Sequence, residues 1–353
     1  MGIRGSGRTQ VFELLSGGRS YAAPRSGRLS ALAAHVAPTD LNLEQLAKIR
    51  GSAKVTPAGY EIVDFPAVGL GEAGGLEAEW LNVVRTLDLL LIVLPLFLDD
   101  GDAQSLRSRL GEVSQELILA DLAQVENRIA RIDHDLPRAP KALRVEQEHE
   151  RALHERLRLD LEAGQHLRAL ALTEHEEILL RGFGFLTMKP AAVVLNTNED
   201  AASSWPELIT ETGLLWPYPH TAAAAVAAQF EAEASLLEPE EAREFLQSSG
   251  ISGTALERVS RAFHQATETI LIYTCNEEQA QAWRVPRGST AIEFAETIHS
   301  DIARGFIRAE TISHAGLVQA GSYAQARRHG AIRSEGRDYV LRDGDVVEVL
   351  FSR

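Results

Sequence analysis

The first residues able to do chemistry are Gly2, Gly5, Ser6, Gly7, Arg8, Thr9 and Gln10, spaced as G-x-x-G-S-G-R-T-Q. In a phosphate loop of the type G-x-x-x-x-G-K-[ST], backbone amides wrap the β-phosphate. Lysine reaches the β- and γ-phosphates, and the hydroxyl holds Mg2+. Here arginine stands in the lysine position. Its guanidinium keeps the charge, but the planar fork is bulkier and cannot act as the same compact point charge. Val11, Phe12, Leu14 and Leu15 begin the helix that such a loop feeds. A phosphate loop also hangs on the end of a core strand, and only Met1 precedes Gly2. Either the true start lies upstream of Met1, which is the favoured reading, or the sheet lacks its central strand.

Two later loops carry related chemistry. Glu61-Ile62-Val63-Asp64-Phe65-Pro66-Ala67 reads as a strand ending in D-x-x-A. That is close to the D-x-x-G which senses Mg2+ and the γ-phosphate in GTPases. Pro66 and Ala67 restrict the backbone that would swing an amide onto that phosphate. Asn196-Thr197-Asn198-Glu199 follows a buried apolar run and stands where a base-reading N-K-x-D would stand. Each motif alone is common; their order and spacing together are not.

Positioning these loops requires an α/β core. Segment 60–64 is a strand, 68–75 a loop, 78–87 a helix, and 89–94 and 188–196 are buried strands. Strands alternating with helices imply a parallel sheet with ligands at the strand carboxyl ends. Between the two buried strands, Leu106, Leu110, Val113 and Leu117, then Ile118, Leu122, Val125, Ile129, Ile132 and Leu136, step by three and four. A one-residue slip at Leu117/Ile118 interrupts this helical period. Pro137 and Pro140 break the helix, and 141–164 returns as a charged second one. The pattern predicts an antiparallel helical hairpin reaching about 50 Å, serving a partner or a dimer contact. The alanine-rich segment 222–228 has helix propensity. In the tail, 270–274 and 282–285 alternate like strands and 291–304 reads as one amphipathic helix. Segment 339–341 pairs with 346–351 through a turn at 342–345.

Composition narrows the function classes. The chain has 353 residues, 45% hydrophobic and 24% charged, which is enough core for more than one globular domain. A single cysteine, Cys275, supplies neither a disulfide framework nor a cysteine metal cluster. The longest apolar run, 87–98, contains Asp88 and Pro95 and falls short of the ~20 residues a bilayer needs. The chain is read as soluble and cytoplasmic. Its net charge of −15 argues against indiscriminate nucleic-acid binding, so no membrane and no DNA sequence readout are expected. Residues 270–353 nevertheless carry ten arginines, no lysine and eleven acids. His299, Arg304, Arg308, Arg327, Arg328 and Arg337 are the RNA-contact candidates there. Pairing within the domain to Asp301, Glu310 and Glu335 is the alternative.

The residues Glu116–Glu126 (ELILADLAQVE), Leu161–Gly164 (LEAG), Phe185–Pro190 (FLTMKP) leading to Asn196, Arg287–Ala291 (RGSTA), Ile298–Asp301 (IHSD), Arg304–Glu310 (RGFIRAE), Glu335–Val340 (EGRDYV) and Asp343–Val346 (DGDV) carry a specific resemblance. The chain resembles the YchF family of Obg-related P-loop nucleotidases nearly end to end. The resemblance implies an α/β P-loop NTPase G domain (1–100 and 188–269) with an inserted antiparallel helical hairpin (101–187) and a C-terminal β-grasp (TGS) domain (270–353). It puts Gly2, Gly5, Ser6, Gly7, Arg8, Thr9 and Gln10 on phosphate, and Thr9 and Asp64 on Mg2+. It puts Asn196, Thr197, Asn198 and Glu199 on the base, with Thr221, Ala222 and Ala223 on the last base-contacting loop. The family carries an apolar residue in place of the catalytic glutamine, and Val68 agrees. Departures gather on the phosphate and metal side: Arg8, Ala67, the missing leading strand, and no switch-one threonine motif in 20–32. No catalytic residue is assigned. The implied function is ATP and/or GTP binding with weak or absent hydrolysis, acting on the ribosome or translation-associated RNA. The alternative is a nucleotide-free ribosome- or RNA-binding paralogue whose G domain is a scaffold, and a third reading is a regulator dimerising through the arm.

Base choice is testable from these residues. Aspartate in N-K-x-D accepts two hydrogen bonds from guanine. Glu199 is one methylene longer, so that bidentate geometry is lost. Competition binding is expected to show ATP bound at least as well as GTP; a tenfold preference for GTP, ~1.4 kcal/mol, would contradict this.

Overall fold

The computed structural model describes residues 1–3, 5–22, 31–65, 78–97, 103–199 and 219–352. In chain order the elements are α1 (Arg8–Ser16), β1 (Tyr21–Ala22), β2 (Leu32–Val36), α2 (Leu41–Arg50), β3 (Lys54–Thr56), β4 (Tyr60–Asp64), α3 (Ala78–Val84) and β5 (Leu90–Pro95). Then come α4 (Ala103–Asp135), α5 (Lys141–Glu162), α6 (Glu174–Leu180), β6 (Ala191–Asn196), β7 (Thr221–Val226), α7 (Ala228–Ala234), α8 (Pro239–Ser248) and α9 (Ala255–Ala266). The remainder is β8 (Thr269–Cys275), β9 (Gln279–Pro286), α10 (Ala291–Ile298), α11 (Ser300–Arg304), β10 (Phe306–Ser313), α12 (His314–Ala320), α13 (Tyr323–Arg328), β11 (Arg333–Glu335) and β12 (Asp345–Phe351). Two compact units result: residues 1–35 with 61–266, and residues 36–60 with 267–353.

In the first unit, β5, β6 and β7 pair in parallel with Pro95, Asn196 and Val226 level at their carboxyl ends. Both expected buried strands are thus present. The position beside β5 is taken by the first residues. Val93 N donates to the Met1 carbonyl at 2.9 Å, and Gly2 bridges Val93 in parallel. Residues 1–3 therefore run along β5 where the strand feeding a phosphate loop belongs. The alanine-rich segment is a correction: it is the strand β7, not a helix. Helix propensity is a weak prior. Small side chains buried on both faces let β7 sit between β6 and the apolar face of α9, whose Val259, Ala262, Phe263 and Ala266 are buried.

The helical hairpin is present, with α4 and α5 joined across the Pro137–Pro140 break. The slip at Leu117/Ile118 has a physical cause. Leu106, Leu110, Val113 and Leu117 pack into the sheet core with Ile92, Leu94 and Val193. Ile118, Val125 and Ile129 join a second core with Leu153, Leu157 and Leu161 of α5. One residue turns a helix by about 100°, so the slip moves the apolar stripe from one partner to the other. At that junction the buried Asp121 accepts from Leu186 N at 2.9 Å, Thr187 N at 2.7 Å and Thr187 Oγ1 at 2.8 Å. Three donors on one carboxylate lock the arm's root to the segment that enters β6. Burial nevertheless pushes the Asp121 carboxyl above its ordinary range.

The second unit is a six-stranded sheet of order β11-β10-β12-β8-β9-β3. One face is covered by α10 through Ala291, Phe294 and Ala295, packed on Ile270, Ile272 and Val285. The other is covered by Leu43 and Leu46 of α2, against Tyr273, Ala282 and Val346. Segment 36–60, expected with the N-terminal domain, thus belongs here: β3 extends the sheet in parallel beside β9. Asp40 caps α2 by accepting from Leu43 N and also from the Tyr273 hydroxyl. Two tail expectations need correcting. Residues 339–341 do not pair with β12, which lies between β8 and β10; Val340 instead bridges Thr290. Segment 291–304 is two helices, because His299 leaves the helical region and its Nδ1 accepts from Asp301 N to start the second.

Acid sensitivity follows from one buried ring. His166 is fully buried, its Nε2 lies 2.6 Å from Ser114 Oγ, and burial lowers its pKa to about 3. The folded chain holds it neutral, whereas the unfolded chain protonates it near pH 6.5. Below that pH the unfolded state binds more protons, so stability falls as pH drops from about 6.5 towards 3, by up to ~1.4 kcal/mol per unit. Urea unfolding at pH 7.5 and pH 5 is expected to differ by about 2 kcal/mol less in His166→Asn than in the native chain. An unchanged pH difference would contradict this.

Candidate functional site

The site forms where residues 1–3, β5, β6 and β7 end together. Gly5 and Gly7 take the left-handed conformation at φ 78° and 75°, turning residues 5–7 into the start of α1. No side chain caps that helix and its first turn holds no acidic residue. The first amides of a helix lack intrahelical partners and face anions favourably. Ser6 adds a hydroxyl that is buried at 2% exposure and has no hydrogen-bond partner among the described residues. Gly2, Gly5, Ser6, Gly7, Arg8, Thr9 and Gln10 are thus brought together as expected.

The base side is joined to this loop by one side chain. Asn196, at 2% exposure, donates from Nδ2 to Ser6 O at 3.0 Å and accepts at Oδ1 from Ala228 N at 3.2 Å. Thr197 N donates to Val226 O at 2.7 Å, which carries the β6 loop alongside that of β7. Asn198 and Glu199 continue from it, the last of the described residues there. Thr221, Ala222 and Ala223 are a correction. They open β7, level with Ala191, Ala192 and Val193, about 10–16 Å from the strand end that bears Asn196. The residues that reach the site are Ala227 and Ala228. Glu231 holds them: its Oε1 accepts from Ala227 N at 2.9 Å and from the Arg258 guanidinium. Arg258 also donates to Ala225 O at 3.1 Å. Reading 222–228 as a buried strand in register with β6 would have pointed to Ala227; Arg258 carries no local signal.

The phosphate-side cation is differently placed. Arg8 Nε donates to Asp64 Oδ1 at 2.5 Å, and the Thr9 hydroxyl donates to Asp64 Oδ2 at 3.1 Å. Thr9 and Asp64 converge as an Mg2+ site needs. Asp64, however, already holds a guanidinium, at 8% exposure against 16% for Arg8. The residues do not fit Mg2+ while that pair stands, because the divalent ion and the guanidinium claim one carboxylate. Among the described residues no group of three or more His, Cys, Asp or Glu side chains could hold a metal. Pro66, Ala67 and Val68, and 23–30 of the switch-one segment, lie outside the described residues.

The RNA candidates sit in the second unit, and the alternative of internal pairing accounts for several. Arg304 pairs with Asp301 at 3.0 Å, Arg308 with Glu310 at 3.4 Å, and Arg327 also with Glu310. His299 lies 3.5 Å from Asp301, and Arg337 reaches Phe306 O at 3.5 Å. Arg328 ends α13. Glu335 pairs with Arg333 instead. Exposed pairs of this kind contribute under ~1 kcal/mol each, so they leave the arginines exchangeable.

Close approach gives the glycines unequal importance. A Cβ on Gly7 would lie 2.1 Å from Asn196 Nδ2, whereas one on Gly5 meets nothing within 4 Å. Gly5→Ala is expected to cost ~1–2 kcal/mol of backbone strain. Gly7→Ala also breaks the Asn196 bridge, costing a further ~1–3 kcal/mol and nucleotide affinity at least tenfold. Equal effects in thermal unfolding and nucleotide titration would contradict this.

A family model named YchF-GTPase_C, described as "Protein of unknown function (DUF933)", matches residues 270–352. The chain is 30% identical over 323 residues to the "Ribosome-binding ATPase YchF" of Bacillus subtilis (strain 168), covering 89% of this chain and 87% of the relative. It is 31% identical over 320 residues to the protein of that name in Escherichia coli O157:H7, with the same coverage. The structure of the Schizosaccharomyces pombe YchF GTPase superposes with a TM-score of 0.77 at 20% identity, covering 99% of this chain and 96% of that one. The fold is therefore a P-loop G domain with a C-terminal domain, and the chain belongs to the YchF family.

Proposed function

We propose that the chain is a cytoplasmic nucleotide-binding protein, taking ATP and/or GTP with weak or absent hydrolysis, that acts on the ribosome or translation-associated RNA. The observation that carries the nucleotide half is the buried Asn196 amide, which ties Ser6 O to Ala228 N. A scaffold that had abandoned nucleotide has no need to keep the phosphate loop and base loop in register through one satisfied carboxamide. Relatives named as ribosome-binding ATPases support the ribosomal half.

Weak hydrolysis rests on the phosphate side. Phosphoryl transfer needs charge at the γ-phosphate and a positioned water, and losing one such contact typically costs ~10²–10³ in rate. Arg8 replaces the lysine and is engaged by Asp64, and Val68 replaces the glutamine. The second reading, a nucleotide-free paralogue, is favoured by that same Arg8–Asp64 pair. Titrating labelled ATP and GTP into the full chain separates the two.

The ribosomal half has its own test. Arg304 and Arg308 are 76% and 50% exposed in weak pairs, so a polyanion can take them over with counterion release. Co-sedimentation with ribosomes is expected near 50 mM salt, to fall by at least tenfold near 200 mM, and to drop several-fold in the Arg304→Ser, Arg308→Ser double variant. Binding indifferent to both salt and the double substitution would contradict it.

A further inference from the structure

The Arg8–Asp64 pair is built like a permanent occupant of the metal position. Nε of Arg8 meets Oδ1 at 2.5 Å, and the Thr9 hydroxyl, the group that would otherwise turn to the ion, donates to Oδ2 at 3.1 Å. Both members of the pair are largely shielded, at 16% and 8% exposure. Mg2+ demands octahedral oxygen ligands at about 2.0–2.1 Å and sheds its water reluctantly. A guanidinium is always charged and weakly hydrated. Inserting Mg2+ beside it would place like charges together, and expelling it would leave a second cation to accommodate within the same loop.

The remaining chemistry suits phosphate. A guanidinium has five N–H donors in a planar fork, and Nε spends one on Asp64. The other donors can meet a phosphate oxygen pair, the geometry in which arginine surpasses lysine. The loop beside it offers the uncapped start of α1 and the buried Ser6 hydroxyl without a partner among the described residues. A carboxylate–guanidinium–phosphate chain sets one fixed cation between two anions there without a divalent ion, and the uncapped start of α1 offsets part of the remaining phosphate charge.

We propose that Arg8, held by Asp64, replaces Mg2+ as the cation of this phosphate site, so that the loop takes a nucleoside di- or triphosphate without metal. The proposal rests on the nucleotide-binding reading above and adds to it the identity of the counter-charge. The experiment is fluorescence anisotropy of labelled ADP and ATP on the full chain, in excess EDTA and in Mg2+. The native chain is expected to show affinities within twofold of each other in the two buffers. Arg8→Lys, which shortens the fork to a point charge and frees the carboxylate, is expected to gain at least tenfold from Mg2+. A tenfold or greater Mg2+ requirement in the native chain would overturn the proposal while leaving nucleotide binding intact. Absence of binding in both buffers would overturn the nucleotide reading itself, and this proposal with it. Because the decisive comparison is made on the native chain, it stands even if the variant fails to fold.

Discussion

The carboxamide of Asn196 sets the geometry on which the site depends. It leaves the end of a fully buried strand, gives its hydrogens to the phosphate loop at Ser6, and takes one from the loop after β7 at Ala228. The phosphate loop and the loops after β6 and β7 thus share one buried group. The cost of breaking such a bridge is the desolvation of every partner left behind, ~1–3 kcal/mol for each unsatisfied group. The same amide dictates glycine at position 7, since no Cβ fits 2.1 Å from Nδ2. Behind it the buried Glu231–Arg258 pair fixes Ala227 and closes the frame from the far side.

Against that stable frame the phosphate side has changed its electrostatics. Arg8 and Asp64 are 56 residues apart in sequence and form a shielded ion pair. Removing one member of a buried pair typically costs about 3–5 kcal/mol, because the other charge is left uncompensated. The pair therefore resists displacement, which ties the proposed metal-free site and the proposed slow turnover to the substitution of one residue. Asn196 and the exposed arginines of the second unit lie elsewhere in the sequence, so a change at Arg8 leaves them in place.

Much of this was legible in the sequence because it is written locally. The buried strands read as apolar runs, the loop as glycine spacing, and the hairpin as a helical period broken at Pro137 and Pro140. Even the slip at Leu117/Ile118 was visible, although its meaning, a change of packing partner, needs both partners in space. What escaped depends on tertiary context. The alanines of β7 favour a helix in isolation and are held extended by burial between β6 and α9. The resemblance put the last base loop at Thr221–Ala223, which the register of β7 places at the opposite end of the strand. His299 interrupts a helix that its neighbours would continue. Segment 36–60 completes a sheet whose other strands begin more than two hundred residues later, and no local pattern announces such a partner.

An ion pair in the metal's place would keep Mg2+ off the loop. The most direct measurement is an experimental structure of the protein grown with ADP and Mg2+, read at Arg8, Thr9 and Asp64. Arg8 Nε is expected within about 3 Å of Asp64 Oδ1, with other guanidinium nitrogens on phosphate oxygens and no metal on Thr9. A metal ion on the Thr9 hydroxyl, with Arg8 turned away from Asp64, would contradict it.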